Sequence, residues 1–156
     1  VTPTTGARPL VGPPIAPGHA LLVYDADCGF CTRAVTWADD HVRPDATPVA
    51  SYVVDHAAFG LAPGRTDREM VLLAPGARPA GGALAAAGLL RRATGRGAAA
   101  WRGAGAVLGA PPVRWLAAGV YRVVARHRHR MPGGTVACRL DHAPSVPSRT
   151  DPRRTP

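Results

Sequence analysis

Eight consecutive residues, Tyr24-Asp25-Ala26-Asp27-Cys28-Gly29-Phe30-Cys31, constrain this chain more than any other stretch. An apolar run, Ala20 to Tyr24, leads in, and an amphipathic segment, Cys31 to Val42, leads out. Strand and helix must join within a few residues. That short junction carries two carboxylates and then a Cys-x-x-Cys. A helix N-terminus has free N–H groups and partial positive charge, which favour a thiolate over a thiol. Thiol pKa values at such places fall to about 3.5–7.5. Two intervening residues put the second sulfur about one helical turn on, within disulfide reach. The stretch therefore predicts a redox-active dithiol.

Each residue of the stretch has an expected part. Cys28, nearest the helix start and the turn, is expected to attack, and Cys31, on the core-facing side of the helix, to resolve the mixed disulfide. Asp27 is the expected N-cap. When ionised it opposes the helix terminus and raises the Cys28 pKa, which favours a reducing role. Asp25 has two readings. Its carboxylate relays the proton of the resolving thiol, or it caps the turn by bonding local N–H groups. Gly29 lets a partner's backbone come close, and Phe30 is a packing residue or an apolar rim. With Asp27 these two form the expected substrate contacts.

At 156 residues the chain suits one domain with a real core. The formal charge is +9, and all 19 basic residues are arginine. The sequence lacks the aromatic-interleaved basic groove that single-stranded nucleic acid needs, so no nucleic-acid partner is expected. Three cysteines are too few for a disulfide-stapled secreted fold. No run is long and apolar enough to form a transmembrane segment, and Val1 to Gly18 lacks the apolar core of a signal peptide. The expected location is cytoplasmic, the expected partner a thiol/disulfide protein or small molecule, and no cofactor is implied.

In chain order, residues 1–18 read as a disordered arm. His19 to Tyr24 is a buried first strand. The first helix buries Cys31, Ala34, Val35, Ala38 and Val42 at helical spacing. Pro48 to Val54 is a second strand, Asp55 to Leu61 a candidate short helix, and Glu69 to Ala74 a third strand. Pro75-Gly76 turns the chain into a short fourth strand, Ala77 to Ala80. Gly82 to Thr94 is an alanine-leucine helix. Ala98 to Gly109 is ambiguous, because Gly103, Gly105 and Gly109 weaken a helix. Val113 to about Arg130 is a long helix. Val113, Leu116, Ala117, Val120, Tyr121 and Val124 form its apolar face, expected to pack on the redox domain. Arg126, Arg128 and Arg130 alternate with His127 and His129, a run that reads as a phosphate- or anion-binding patch or, more commonly for such runs, as a solvated helix end. Residues 143–156 read as a disordered tail.

Strand, Cys-x-x-Cys helix, strand, helix, hairpin, helix is the order of the thioredoxin fold. More narrowly, Asp25-x-x-Cys28-x-x-Cys31 resembles the DCC family of thiol-disulfide oxidoreductases, named for that Asp-Cys-Cys pattern. A second motif agrees. Tyr121-Arg122-Val123-Val124-Ala125-Arg126-His127-Arg128 fits the family's late Tyr-Arg-x-x-Ala-x-x-Arg, and Cys138-Arg139-Leu140 follows. The resemblance spans roughly His19 to Leu140 and implies, over a domain of residues 19–142, an α/β, thioredoxin-like β-α-β-α-β-β-α core with a C-terminal helical extension. It implies thiol-disulfide exchange through Cys28 and Cys31. Two departures stand out. Gly81 occupies the place of a frequent family serine. Thr66, Asp67 and Arg68 stand where thioredoxins carry a cis-proline ahead of the third strand, Pro63 being too early.

Two other readings compete. Cys28, Cys31 and Cys138 with His142 would complete a tetrahedral zinc set, although Cys138 lacks a nearby cysteine. Alternatively the pair is structural in a non-enzymatic binding module, whose basic helix contacts an acidic partner or a membrane surface.

Overall fold

The structure, a computed structural model, describes residues 19–130. Cys138, His142 and both terminal segments lie outside the described residues. β1 (Ala20–Tyr24) is followed by α1 (Gly29–His41), β2 (Ala46–Ala50), a 3-10 turn (Ser51–Val53), β3 (Val71–Leu73) and β4 (Ala80–Gly81). Three helices complete the fold: α2 (Gly82–Arg91), α3 (Ala98–Gly109) and α4 (Val113–His127), with a terminal 3-10 turn, Arg128–Arg130.

The four strands form one sheet in the order β2-β1-β3-β4. β1 runs parallel to β2 and antiparallel to β3, and β4 closes the hairpin with β3. Strand connectivity is therefore thioredoxin-like, with β1 and β3 central. Alternation along the strands divides the core. Leu21, Val23, Val49, Val71 and Leu73 face one side with Val54 and Leu61. Ala20, Leu22, Ala46 and Leu72 face the other, where Ala85 and Leu89 of α2 complete the layer and Val35 and Ala38 of α1 pack against it.

One expected element takes another form, and one helix is less buried than expected. The Asp55 to Leu61 segment is a run of turns rather than a helix. Asp55 Oδ1 accepts the N–H groups of Ala57 and Ala58, and the side chain thus competes with helix for these donors. The second α of the expected core is accordingly absent, and Val54, Leu61 and the edges of Val53 and Phe59 cover that face of the sheet. Ala34, expected on the buried face of α1, is exposed, and no residue of α1 is fully buried.

Ala98–Gly109 resolves as a helix despite its glycines. Gly105 is buried where α3 crosses α2. A Cβ there would lie 2.7 Å from the Ala87 carbonyl oxygen and 2.8 Å from the Arg91 nitrogen. The residue that weakens the isolated helix is the one that lets the two backbones meet.

α4 packs on the rest of the domain, but against α2 and α3 rather than on an open face of the sheet, and by a narrower face than expected. Val113, Ala117, Tyr121 and Val124 are half-buried, whereas Leu116 and Val120 are 71% and 57% exposed. The expected stripe was too broad. The contact runs along the side that carries Tyr121, and Leu116 and Val120 lie past its edge.

Candidate functional site

The site begins at the end of the central strand β1. Asp25 Oδ1 accepts the Asp27 N–H at 3.1 Å, closing a turn immediately after the strand. The turn-capping reading of Asp25 is thus realised. Because that carboxylate takes the Asp27 N–H, the chain reverses one residue later than expected. The N-cap is Cys28 rather than Asp27, with extended dihedrals (φ −84°, ψ 107°), and Asp27 is exposed. The Cys28 carbonyl accepts the first helical bond, from Thr32 N–H at 3.0 Å. The Thr32 hydroxyl lies 3.2 Å from both the Ala26 and Cys28 carbonyl oxygens, which share its one proton, tying turn to helix. Gly29 and Phe30, the other expected substrate contacts, are half-buried in the first turn of α1.

The two cysteines are thiols, with Cys28 donating to the Cys31 sulfur. Their burial is the reverse of the sequence expectation. Cys28 has no exposed surface, while Cys31 is only partly buried. Cys28 closes the short turn that follows a central strand. α1 lies over the sheet with none of its residues fully buried, so even its inward face keeps contact with solvent.

A cation completes the group. Arg128, read from the sequence as part of a solvated helix end, is 8% exposed. Its Nη1 lies 3.7 Å from Cys31 Sγ, its Nη2 lies 3.7 Å from Asp25 Oδ2, and the same nitrogen donates to the Asp67 carbonyl. One guanidinium thus joins the dithiol, the turn after β1 and the segment ahead of β3. A planar fork of donors suits three acceptors at once. His127, next to it in sequence, is exposed and bonds back to the Val123 carbonyl, as a solvated helix end would.

Electrostatics follow the packing. Burial pushes the Cys31 thiol above its ordinary pKa; the Cys28 hydrogen bond and the Arg128 charge pull it back, while Asp25 adds to the rise. Burial works to lower the Arg128 pKa, but Cys31 and Cys28, ionised at the high pH where an arginine titrates, together with Asp25 outweigh it and raise the value.

Tyr121 makes the second bridge from α4. Its hydroxyl accepts the Met70 N–H at 3.1 Å, just before β3. Burial raises its pKa, the Met70 bond lowers it, and the charges of Cys31 and Glu69 raise it further. The segment that carries a cis-proline in thioredoxins is therefore held here by Tyr121 and Arg128. The Gly81 departure has a local cause too. A Cβ at Gly81 would come within 2.6 Å of the whole Glu69 carboxylate, so a serine would need that side chain to swing away from Arg65, which holds it at 2.8 Å.

Residue-by-residue reading missed Arg128 and Tyr121, although the late motif contained them. Seven residues is two helical turns, so the first and last positions of Tyr-Arg-x-x-Ala-x-x-Arg share a face. That face turns to the dithiol. Among the described residues no three His, Cys, Asp or Glu side chains gather to hold a metal ion. The zinc set invoked Cys138 and His142, which lie outside the described residues.

A family model described as DCC1-like thiol-disulfide oxidoreductase matches residues 22–134. No curated protein and no solved structure matches the chain.

Proposed function

The chain belongs to the DCC1-like thiol-disulfide oxidoreductase family, and from that premise we propose that Cys28 and Cys31 exchange a disulfide with a thiol/disulfide partner. The observation that carries the reading is the buried guanidinium of Arg128 on the Cys31 sulfur, beside a cysteine at the start of α1. A cation there stabilises the thiolate, which is the nucleophile of exchange.

The half-exposed Cys31 meets the partner. Its thiolate attacks one sulfur of the partner disulfide, forming a mixed disulfide and expelling a partner thiolate. Cys28 then loses its proton and attacks the Cys31 sulfur. The Cys28–Cys31 disulfide forms and the second partner thiolate leaves. The partner gains two electrons and the pair loses two; with an oxidised pair and a dithiol partner the same steps run backwards. Asp25, close enough to Cys31 for its charge to act there, takes the proton that Cys31 loses as it becomes the attacking thiolate. Gly29, Phe30 and Asp27 border the pair and contact the partner. A compartment that keeps thiols reduced, such as the cytoplasm, suits such a pair. No helix among the described residues is long and apolar enough to cross a membrane.

Trapping decides the roles. With a disulfide-bonded peptide as partner, Cys28→Ser is expected to accumulate a mixed disulfide through Cys31, because the resolving thiol is gone. Accumulation on Cys31→Ser instead restores the order expected from the sequence, with Cys28 attacking. If neither variant traps partner, and mild oxidation yields no Cys28–Cys31 peptide by mass spectrometry, the exchange reading is wrong.

A further inference from the structure

α4 leaves a second surface unused by the dithiol. Leu116, Val120 and Val123 are 71%, 57% and 60% exposed. At spacings of four and three they form one stripe along the helix. Trp115 borders it at 64% exposure, with the Arg114 guanidinium 5.3 Å from its ring centroid. Arg114, Arg122 and Arg126 are all exposed on the same helix, which contains no carboxylate. Charge is segregated along the whole chain. No Asp or Glu occurs between Glu69 and Asp141, whereas arginine recurs from Arg78 to Arg139.

We propose that the exposed face of α4 docks on an anionic lipid surface. A helix lying in a bilayer interface needs an apolar stripe to enter the acyl boundary and cations to meet the headgroups, with aromatic side chains suited to the boundary. α4 has all three outside its contact with α2 and α3. The charge selects among occupants. A second copy would set the arginines of one α4 against those of the other, which like-charge repulsion opposes. A nucleic-acid backbone would use the arginines but leave the aliphatic stripe in water. An anionic bilayer uses both. Juxtamembrane basic residues contribute attraction that decays within a Debye length, so the stripe must supply the part of binding that survives physiological salt.

The test is vesicle flotation of the full chain at physiological ionic strength. Phosphatidylcholine vesicles with a minority of phosphatidylglycerol are compared with phosphatidylcholine alone. Binding is expected only with the anionic lipid. The triple variant Leu116→Ser/Val120→Ser/Val123→Ser is expected to lower the bound fraction at least tenfold with an unchanged melting temperature, since these side chains are already exposed. Arg122→Glu/Arg126→Glu is expected to lower it comparably, and this pair decides the matter should the triple variant fold poorly. Wild-type failure to float, or full binding by either variant, overturns the proposal. A dimer that the triple variant dissociates would assign the stripe to a second copy instead. Tighter binding to a duplex oligonucleotide, indifferent to the triple variant, would assign the arginines to nucleic acid.

Discussion

Arg128 shows how much one residue's meaning depends on where its chain segment ends. In the run from Arg126 to Arg130, charge alternates with histidine and nothing local distinguishes the middle arginine. In the fold it is mostly buried, on Cys31 and near Asp25. Removing one partner of such a group leaves uncompensated charge. The pH dependence follows in sign. Burial holds the Cys31 pKa above its ordinary value, so the thiol dominates at neutral pH and alkylation climbs as pH rises through that pKa. Arg128→Gln removes a pull downward and is expected to move the climb to higher pH, slowing Cys31 alkylation several-fold near pH 7.5. Arg128→Lys retains the charge and most of the rate. Peptide-resolved mass spectrometry of iodoacetamide labelling measures this. A purely structural arginine would instead speed labelling at every pH by opening the site, without moving the midpoint.

At the scale of elements, the glycines of α3 carry the sharpest contrast. Helix propensity treats Gly103 and Gly105 alike. Packing does not, because Gly105 meets the α2 backbone and Gly103 has nothing within 4 Å. Gly105→Ala is expected to force the helices apart and cost about 1–3 kcal/mol, the scale of overpacking. Gly103→Ala is expected to stabilise by up to about 1 kcal/mol through helix propensity. Denaturant unfolding of the two variants separates them, and equal effects would remove Gly105 from its packing role. α4 teaches the same lesson from the other side. Periodicity identified an amphipathic helix and its extent, but which part of the apolar arc is covered depended on α2 and α3, elements brought beside it only by the fold.

At the scale of the molecule, the carboxylates of the described residues lie between Asp25 and Glu69, and α2, α3 and α4 have none. Arg128 joins the two halves through Asp25. Within the three helices arginine is the charged residue and no carboxylate offsets it, and self-repulsion works against the compact state. Raising salt from about 0.01 to 0.1 M shortens the Debye length from about 30 to 10 Å. The melting temperature is expected to rise by a few degrees over that range. A fall would mean that attraction between the acidic and basic halves outweighs repulsion within the helices. The experiment is a thermal melt followed by circular dichroism at constant pH.

The sequence by itself determined what depends on neighbours along the chain. The apolar run before Asp25, the Cys-x-x-Cys after it and the amphipathic period beyond were enough for strand, turn, dithiol and helix. Two ordered motifs were enough for the family. The tertiary structure decided what depends on distant segments. It placed Arg128 on a sulfur 97 residues away and seated the Tyr121 hydroxyl on Met70. It covered Cys28 and left Cys31 within reach of solvent, against the local expectation. The reason is physical: helical and strand periods are written in adjacent residues, but burial and the electric field at a thiol are sums over everything packed around it.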